Sequence, residues 1–192
     1  MSALSNNIDK IITLLYPLPE PSQEVLKSKM SKVNYPKGHL LLRADRLEKS
    51  IYFIAKGVAR AYADAPNGQV TFWFGQEGAP ILSMKSYIAE KKSYENVEIL
   101  ESCELYKISI TELRSLFEAD VHLANWGRKL AEQELIKTEE RLIAMQFKSA
   151  RQRYSDLIEL QPELFQRVSL GHIASYLGMS QVSLSRIRAG IQ

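Results

Sequence analysis

The sequence predicts an α+β protein: a compact antiparallel barrel or jelly roll, then a long helix, then a small helical domain. Three observations lead there. Residues 33–110 break into short runs rich in β-branched and aromatic residues, separated by turn-forming Gly, Pro and Asn. From about residue 118 to 147 there is one Gly and no Pro, and the apolar spacing lengthens to a helical period. The last stretch, GHIASYLGMSQVSLSRIRAGIQ, fits two short helices around a tight turn.

Each element follows in order. IDKIITLL (8–15) and SQEVLKSKMSK (22–32) each fit a helix, with Ser22 offered as N-cap of the second. The strand-like runs are NYPKGHLLLRADR, SIYFIAKGVARAYA, QVTFWFG and VEILESCELYKIS. Between two of them, Asn67-Gly68 accepts the positive φ angles of a tight hairpin turn. Short strands joined this way close into a small antiparallel barrel or jelly roll.

The long helix carries two apolar faces. Ala124, Ala131, Leu135, Thr138, Leu142 and Met145 alternate by fours and threes, interrupted by Arg128, which is the spacing of a coiled-coil seam. Leu123, Leu130, Ile136, Ile143 and Phe147 form a second stripe. Such a helix can touch its own barrel and a second chain together, and a dimer is expected. The next helix places Ala150, Tyr154, Leu157 and Ile158 on one face and stops near Pro162.

Composition narrows the function. The 192 residues are 45% hydrophobic and 24% charged, with a net charge of +3, as in an ordinary globular protein. No run approaches the ~18 apolar residues of a membrane span, and the N-terminus lacks the pattern of a signal peptide, so a cytoplasmic location is expected. Cys103 stands alone, which excludes a disulfide framework, a thiolate zinc site or an iron–sulfur cluster within one chain. His39, His122 and His172 fall in three separate segments without metal-ligand spacing. No nucleophile elbow, phosphate-cradling glycine loop or paired carboxylates stand out. Neither enzyme activity, metal nor cofactor is expected.

The C-terminal stretch carries the most chemistry. Ser169 offers a cap to a helix running to Leu177, with Ile173, Ala174 and Leu177 inward. Gly178 suits a left-handed turn, and Ser180 caps a second helix held by Leu184 and Ile187. Small, turning and apolar residues at these offsets are what a helix-turn-helix needs. Gln181, Ser183, Ser185, Arg186 and Arg188 are left outward. After Glu163 no acidic residue occurs, whereas Arg167, Arg186 and Arg188 do, a balance that welcomes a phosphate backbone. A purely structural hairpin would fit the same spacing.

Beyond these spacings, FQRVSLGHIASYLGMSQVSLSRIR closely resembles the C-terminal domain of the Crp/Fnr superfamily of bacterial transcription regulators, most of all the branch common in Bacteroidetes. KSARQRYSDLIELQPEL extends the likeness upstream, and YFIAKGVARAY with NGQVTFWF is similar to that family's antiparallel β-roll. The resemblance implies a β-roll domain over 1–117, a dimerisation helix over 118–147 and a helix-turn-helix domain over 148–192 without a C-terminal wing. It implies a homodimer on double-stranded DNA at a two-fold-symmetric operator, with RNA polymerase as a further partner. Carried over residue by residue, the DNA-binding set is Ser169, Ser180, Gln181, Val182, Ser183, Arg186 and Arg188. Arg186 falls where the family usually has a DNA-contacting arginine. Gln181 and Val182 replace a frequent arginine–glutamate pair, so base preference does not transfer.

The family's roll often binds a cyclic nucleotide through a Gly-Glu early and an Arg-Ser or Arg-Thr later. The matching positions here read Leu82-Ser83 and Ser93-Tyr94, without either charge. A cyclic phosphate would lose a charge-assisted contact, so control by cyclic AMP is not expected. Lys85, Lys91 and Lys92 lie nearby but look like an exposed loop. Leu82, Ser83, Lys85, Ser86, Ser93, Tyr94 and Thr138 are the candidate lining for an unidentified small-molecule effector, with ligand-independent action the other possibility. The alternative reading is a ligand- or partner-binding dimer that has lost specific DNA binding, suggested by the end of the sequence at Gln192 before any wing.

Overall fold

Where apolar residues run without alternation, a strand must bury both faces. SIYFIAK does so as strand β3, Ser50–Lys56, and its two faces divide the molecule's cores. In the computed structural model, which describes residues 5–66 and 68–190, Ile51, Phe53 and Ala55 point to one cluster while Tyr52 and Ile54 point to another. The strands preceding it are β1 (Ser31–Tyr35) and β2 (Leu40–Leu42). Those following are β4 (Ala59–Ala65), β5 (Gly68–Gly75), β6 (Pro80–Ile81), β7 (Asn96–Ile99) and β8 (Cys103–Ser109). They form two four-stranded antiparallel sheets, in the orders β1-β8-β3-β6 and β2-β7-β4-β5. Leu42, Ile54, Ala59, Ala61, Ile81, Val97, Ile99 and Leu105 fill the space between them. Gly57 is at φ +114, and a Cβ there would lie 2.2 Å from the Cys103 Sγ, so the β3–β4 corner needs glycine. The same burial pushes the Cys103 thiol up to about 11.

The N-terminal helices α1 (Ser5–Leu15) and α2 (Glu20–Lys29) cover the outer face of the first sheet. Ser22 does not cap α2, whose N-cap is Pro19. Instead it is buried and donates its hydroxyl to the Asp120 carboxylate at 2.6 Å. Proline at N1 or N2 makes a side-chain cap at Ser22 unnecessary, and the helix begins two residues sooner than the sequence indicates. Residues 31–32, expected at its end, belong to β1. Asn67 of the expected hairpin turn lies outside the described residues; β4 and β5 on either side do pair as a hairpin.

Two helices that the strand-rich reading passed over are α3 (Met84–Ala89) and α4 (Ile110–Ala119). The long helix α5 spans Val121–Phe147 and not 118–147, because Asp120 breaks from α4 and caps α5 through the amides of His122 and Leu123. Its first turns are anchored. Leu123 and Trp126 are fully buried, and the indole N–H donates to the Ile12 carbonyl at 2.8 Å. Beyond Leu130 its large apolar residues are exposed: Leu135, Ile136, Leu142, Ile143 and Phe147.

The chain leaves α5 through the extended Lys148 into α6 (Ala150–Leu160), started by a Ser149/Gln152 capping box. Short α7 (Leu164–Arg167) and α8 (Leu170–Tyr176) precede α9 (Gln181–Arg188). Leu157, Leu164, Val168, Ile173, Ala174, Leu177 and Leu184 make their core, and Val58 and Leu100 of the roll join it. The C-terminal helices thus share a core with the sheet beneath them. Among the described residues, no helix is long and apolar enough to cross a membrane.

Candidate nucleic-acid interface

The spacing of caps and apolar residues builds the C-terminal pair of helices as expected. Ser169 accepts the His172 amide at the start of α8, and Ser180 accepts the Ser183 amide at the start of α9. Gly178 sits between them at φ +65, and a Cβ would meet the Met145 methyl at 2.5 Å, so the turn is also closed against the end of α5. Ile173, Ala174 and Leu184 are buried, and Ile187 is half-buried. Pinned by Leu184, α9 turns Gln181, Val182, Ser183, Ser185, Arg186 and Arg188 to solvent. Val182 is 62% exposed, far more than packing requires. Gln181, Val182, Ser185, Arg186 and Ala189 together line a shallow open concavity. The structure therefore brings six of the seven candidate DNA-binding residues onto or beside one short helix. Ser169, the seventh, is exposed at the start of α8.

Arg167 departs from expectation. It is not a free cation for phosphate: its guanidinium is gripped by Glu77 of the β5–β6 turn, at 2.7 and 3.0 Å, and by Glu101 beyond β7. The bond to Arg167 pulls the Glu77 carboxyl down to about 2. Cationic character on the outward face of α9 is left to Arg186 and Arg188 in its last turn, where they also offset the helix C-terminal dipole.

The candidate effector residues are used differently. Ser83 is buried and caps α3 by accepting the Ser86 amide. The Ser86 hydroxyl accepts the Glu48 amide and donates to the Lys91 carbonyl. Ser93 turns its hydroxyl onto the backbone of Glu95, donating to the carbonyl and accepting the amide. Leu82 packs against the cluster under the N-terminal helices. Lys85 is exposed, with its ammonium 5.9 Å from the centre of the exposed Tyr94 ring, and Tyr94 in turn lies beside Phe72. Thr138 is exposed on α5, its hydroxyl donating to Glu134 O within the helix. Ser83, Ser86 and Ser93 are thus brought to one end of the roll, where each hydroxyl knits main chain. Thr138 spends its own within its helix. Among the described residues no group of three His, Cys, Asp or Glu could hold a metal ion.

Sequence reasoning missed the residues that join the two ends of the molecule. Arg60 is buried on the outer face of β4, against Glu98, Thr71 and Gln69, and its guanidinium stacks over Tyr62. Ser175, Tyr176 and Arg141 meet the edge strand β5 just above it. The only signal available was the alternation in ARAYADA, which sets Arg60 and Tyr62 opposite the alanines but does not reveal what covers them.

Comparison with known proteins agrees with this architecture. Residues 32–120 match the model of the cyclic nucleotide-binding domain. No curated protein sequence matches the chain. Among solved structures, FixK2 from Bradyrhizobium japonicum superposes with a TM-score of 0.71 at 18% identity, covering 84% of this chain and 83% of that one. CLP of Xanthomonas campestris, a c-di-GMP-responsive global regulator, gives 0.70 at 16% identity, over 90% and 91%. A Crp/Fnr-family protein from Eubacterium rectale gives 0.72 at 14% identity, over 94% and 87%. Identities this low establish the fold and do not reach the narrower likeness to a Bacteroidetes branch. Residues 32–120 are thus similar to a cyclic nucleotide-binding domain, and the chain has the fold of the solved Crp/Fnr-type regulators.

Proposed function

We propose that this chain is a sequence-specific DNA-binding transcriptional regulator that acts as a homodimer and is not controlled by cyclic AMP. The observation that carries the reading is the outward face of α9. A short helix, capped by Ser180 and pinned by one buried leucine, presents amide, hydroxyl, methyl and guanidinium groups without a carboxylate among them. These are the groups that read base edges and hold phosphates in a major groove. Val182 offers only an apolar contact, suited to a thymine methyl. Ser169 sits where a phosphate-contacting group at the start of α8 belongs.

Dimerisation is supported by α5, where Leu135 is 68% exposed and Leu142 is 57% exposed along the expected seam. Burying such a stripe against a second copy would carry two recognition helices to successive grooves about one helical turn apart. Independence from cyclic AMP is supported by the commitment of Ser83, Ser86 and Ser93 to backbone partners, and by the absence of a signature arginine or glutamate at 82–83 and 93–94. An effector without a phosphate remains compatible with the exposed Lys85 and Tyr94 rim.

The test is selection of bound fragments from a random DNA pool without added ligand, comparing wild type with Arg186→Ala across a salt series. The expected result is a two-fold-symmetric motif that the variant fails to enrich. Only weak, salt-sensitive, sequence-blind binding would mean that an effector is required or that specific reading has been lost, and candidate ligands added to the same selection separate the two.

A further inference from the structure

An edge strand presents main-chain N–H and C=O groups to whatever lies beside it. Strand β5 is such an edge, and its register with β4 slips between Ala61–Trp73 and Tyr62–Thr71, leaving Phe72 as the extra residue of a bulge. No strand follows. Helix α8 takes that place, and one hydroxyl does what a neighbouring peptide unit would do. Ser175 Oγ accepts the Thr71 amide at 2.9 Å and donates to the Gln69 carbonyl at 2.9 Å.

Arg141 closes the junction from the long helix. Its guanidinium lies 3.9 Å from the centre of the Tyr176 ring, donates to the Tyr176 carbonyl at 2.8 Å and reaches the Thr71 carbonyl at 3.4 Å. Tyr176 packs on Phe74 of β5, with ring centres 5.0 Å apart. Beneath, Arg60 fixes the side chains of the same two β5 residues, Gln69 and Thr71. Roll, long helix and reading head therefore meet at one point.

That junction does not touch the reading face. Gln181, Val182, Ser183, Ser185, Arg186 and Arg188 stay exposed while α8 is held. The contact fixes the head and does not hide it. The covalent link from α5 to the head is short, the extended Lys148 and Ser149, so the head's position is set by what it touches: the core it shares with the roll, the Arg167 ion pairs and this junction.

We propose that Ser175 and Arg141 form a latch that sets the position of the reading head on the β5 edge, and thereby the half-site spacing the dimer accepts. This rests on the DNA-binding reading above, and both residues are positioning residues. With the latch closed, the distance between two heads is set by rigid parts, so one spacing is favoured. With it open, the head is held by the shared core and the Arg167 ion pairs alone, so its orientation on the β5 edge loosens and neighbouring spacings become more nearly equivalent, while contacts within one half-site are unchanged.

The experiment uses the full chain with Ser175→Ala, Ser175→Thr and Arg141→Gln, and reads two quantities. Amide hydrogen exchange without DNA follows Thr71, whose N–H is held by Ser175; about tenfold faster exchange is expected in Ser175→Ala, with Ser175→Thr close to wild type because it keeps the hydroxyl. Affinity is then measured for the selected half-site alone and for pairs of half-sites at a series of spacings. Wild type should favour one spacing by about tenfold, and Ser175→Ala and Arg141→Gln should flatten that preference without changing single half-site affinity. Unchanged Thr71 exchange in Ser175→Ala would remove the latch. An unaltered spacing profile with the latch open would overturn its role, as would tighter binding at the original spacing, which would mark a clasp that restrains binding. If wild type selects no motif with or without candidate effectors, the DNA-binding reading fails and spacing control fails with it, while Thr71 exchange still decides whether the latch exists.

Discussion

The turn into α3 with its following loop, and helix α9, draw on the same polar vocabulary and use it in opposite ways. Ser83, Ser86 and Ser93 are buried, and their hydroxyls close main-chain hydrogen bonds around Glu48, Lys91 and Glu95. Ser185 is exposed on α9, and the exposed Ser183 hydroxyl meets only that of Ser180 at 2.9 Å, so neither is tied to main chain. A serine is open to a ligand only where the backbone does not need it. Around α3 the hydroxyls hold the loop together, whereas α9 keeps its polar side chains turned to solvent.

The contrast can be broken most severely at the one side chain that makes α9 a presentation surface. Leu184→Ala should cost about 2–5 kcal/mol, because a fully buried leucine shared by α8, α9 and the roll leaves a cavity. Denaturant unfolding would show it as a lower midpoint; a loss under about 1 kcal/mol would mean that the head does not share the roll's core as described. The serines sharpen the comparison more directly. Ser86→Ala takes the partner from the part-buried Glu48 amide and Lys91 carbonyl and should cost about 1 kcal/mol, while Ser185→Ala should change stability by less than about 0.5 kcal/mol. Equal losses in the two variants would erase the distinction between committed and open hydroxyls.

How far the sequence reaches follows the range of the interactions involved. Local patterns were legible: strand runs in 33–110, the apolar stripes of α5, and the Ser-to-Ser cap spacing that defines α8 and α9. Those signals rest on neighbours within a turn or two. What escaped were contacts between distant segments. Ser22 is a reasonable cap by type, yet its hydroxyl serves Asp120, nearly a hundred residues away. Arg167 resembles a phosphate-binding cation by its acid-free surroundings in sequence, but the fold supplies Glu77 and Glu101. Ser175 and Arg141 have no local signature at all. Their roles exist only because β5 is an edge and α8 happens to cover it, and a sheet's edge is a property of topology, which local periodicity does not encode.

The smallest expected effect tests the covered side of that same helix. His172, one turn before Ser175 on α8, lies half-buried within electrostatic reach of Arg60 of β4, Glu98 of β7 and Lys37 of the β1–β2 turn. Burial holds its pKa below the usual imidazole value, Arg60 and Lys37 act in the same direction, and Glu98 opposes them. A depressed pKa in the docked state means that the docked head binds fewer protons than a released one. Docking is therefore fully favoured above the ordinary imidazole value of about 6.5 and loses ground as pH falls through it. Glu77, held near 2 by its grip on Arg167, adds to the same slope at lower pH, because a released head returns it towards the ordinary carboxylate range and so binds more protons. Proton NMR can follow the His172 Cε1 resonance, assigned by its loss in His172→Gln. In wild type it should titrate below the ordinary value, and in Ser175→Ala it should climb towards it as α8 leaves the sheet. A His172 that titrates at the ordinary value in both proteins would mean that α8 does not rest on the Arg60–Glu98 pair in solution. A depressed value that stays put in Ser175→Ala would mean that the apolar core around Leu184 and Phe74, and not the serine, holds the helix down.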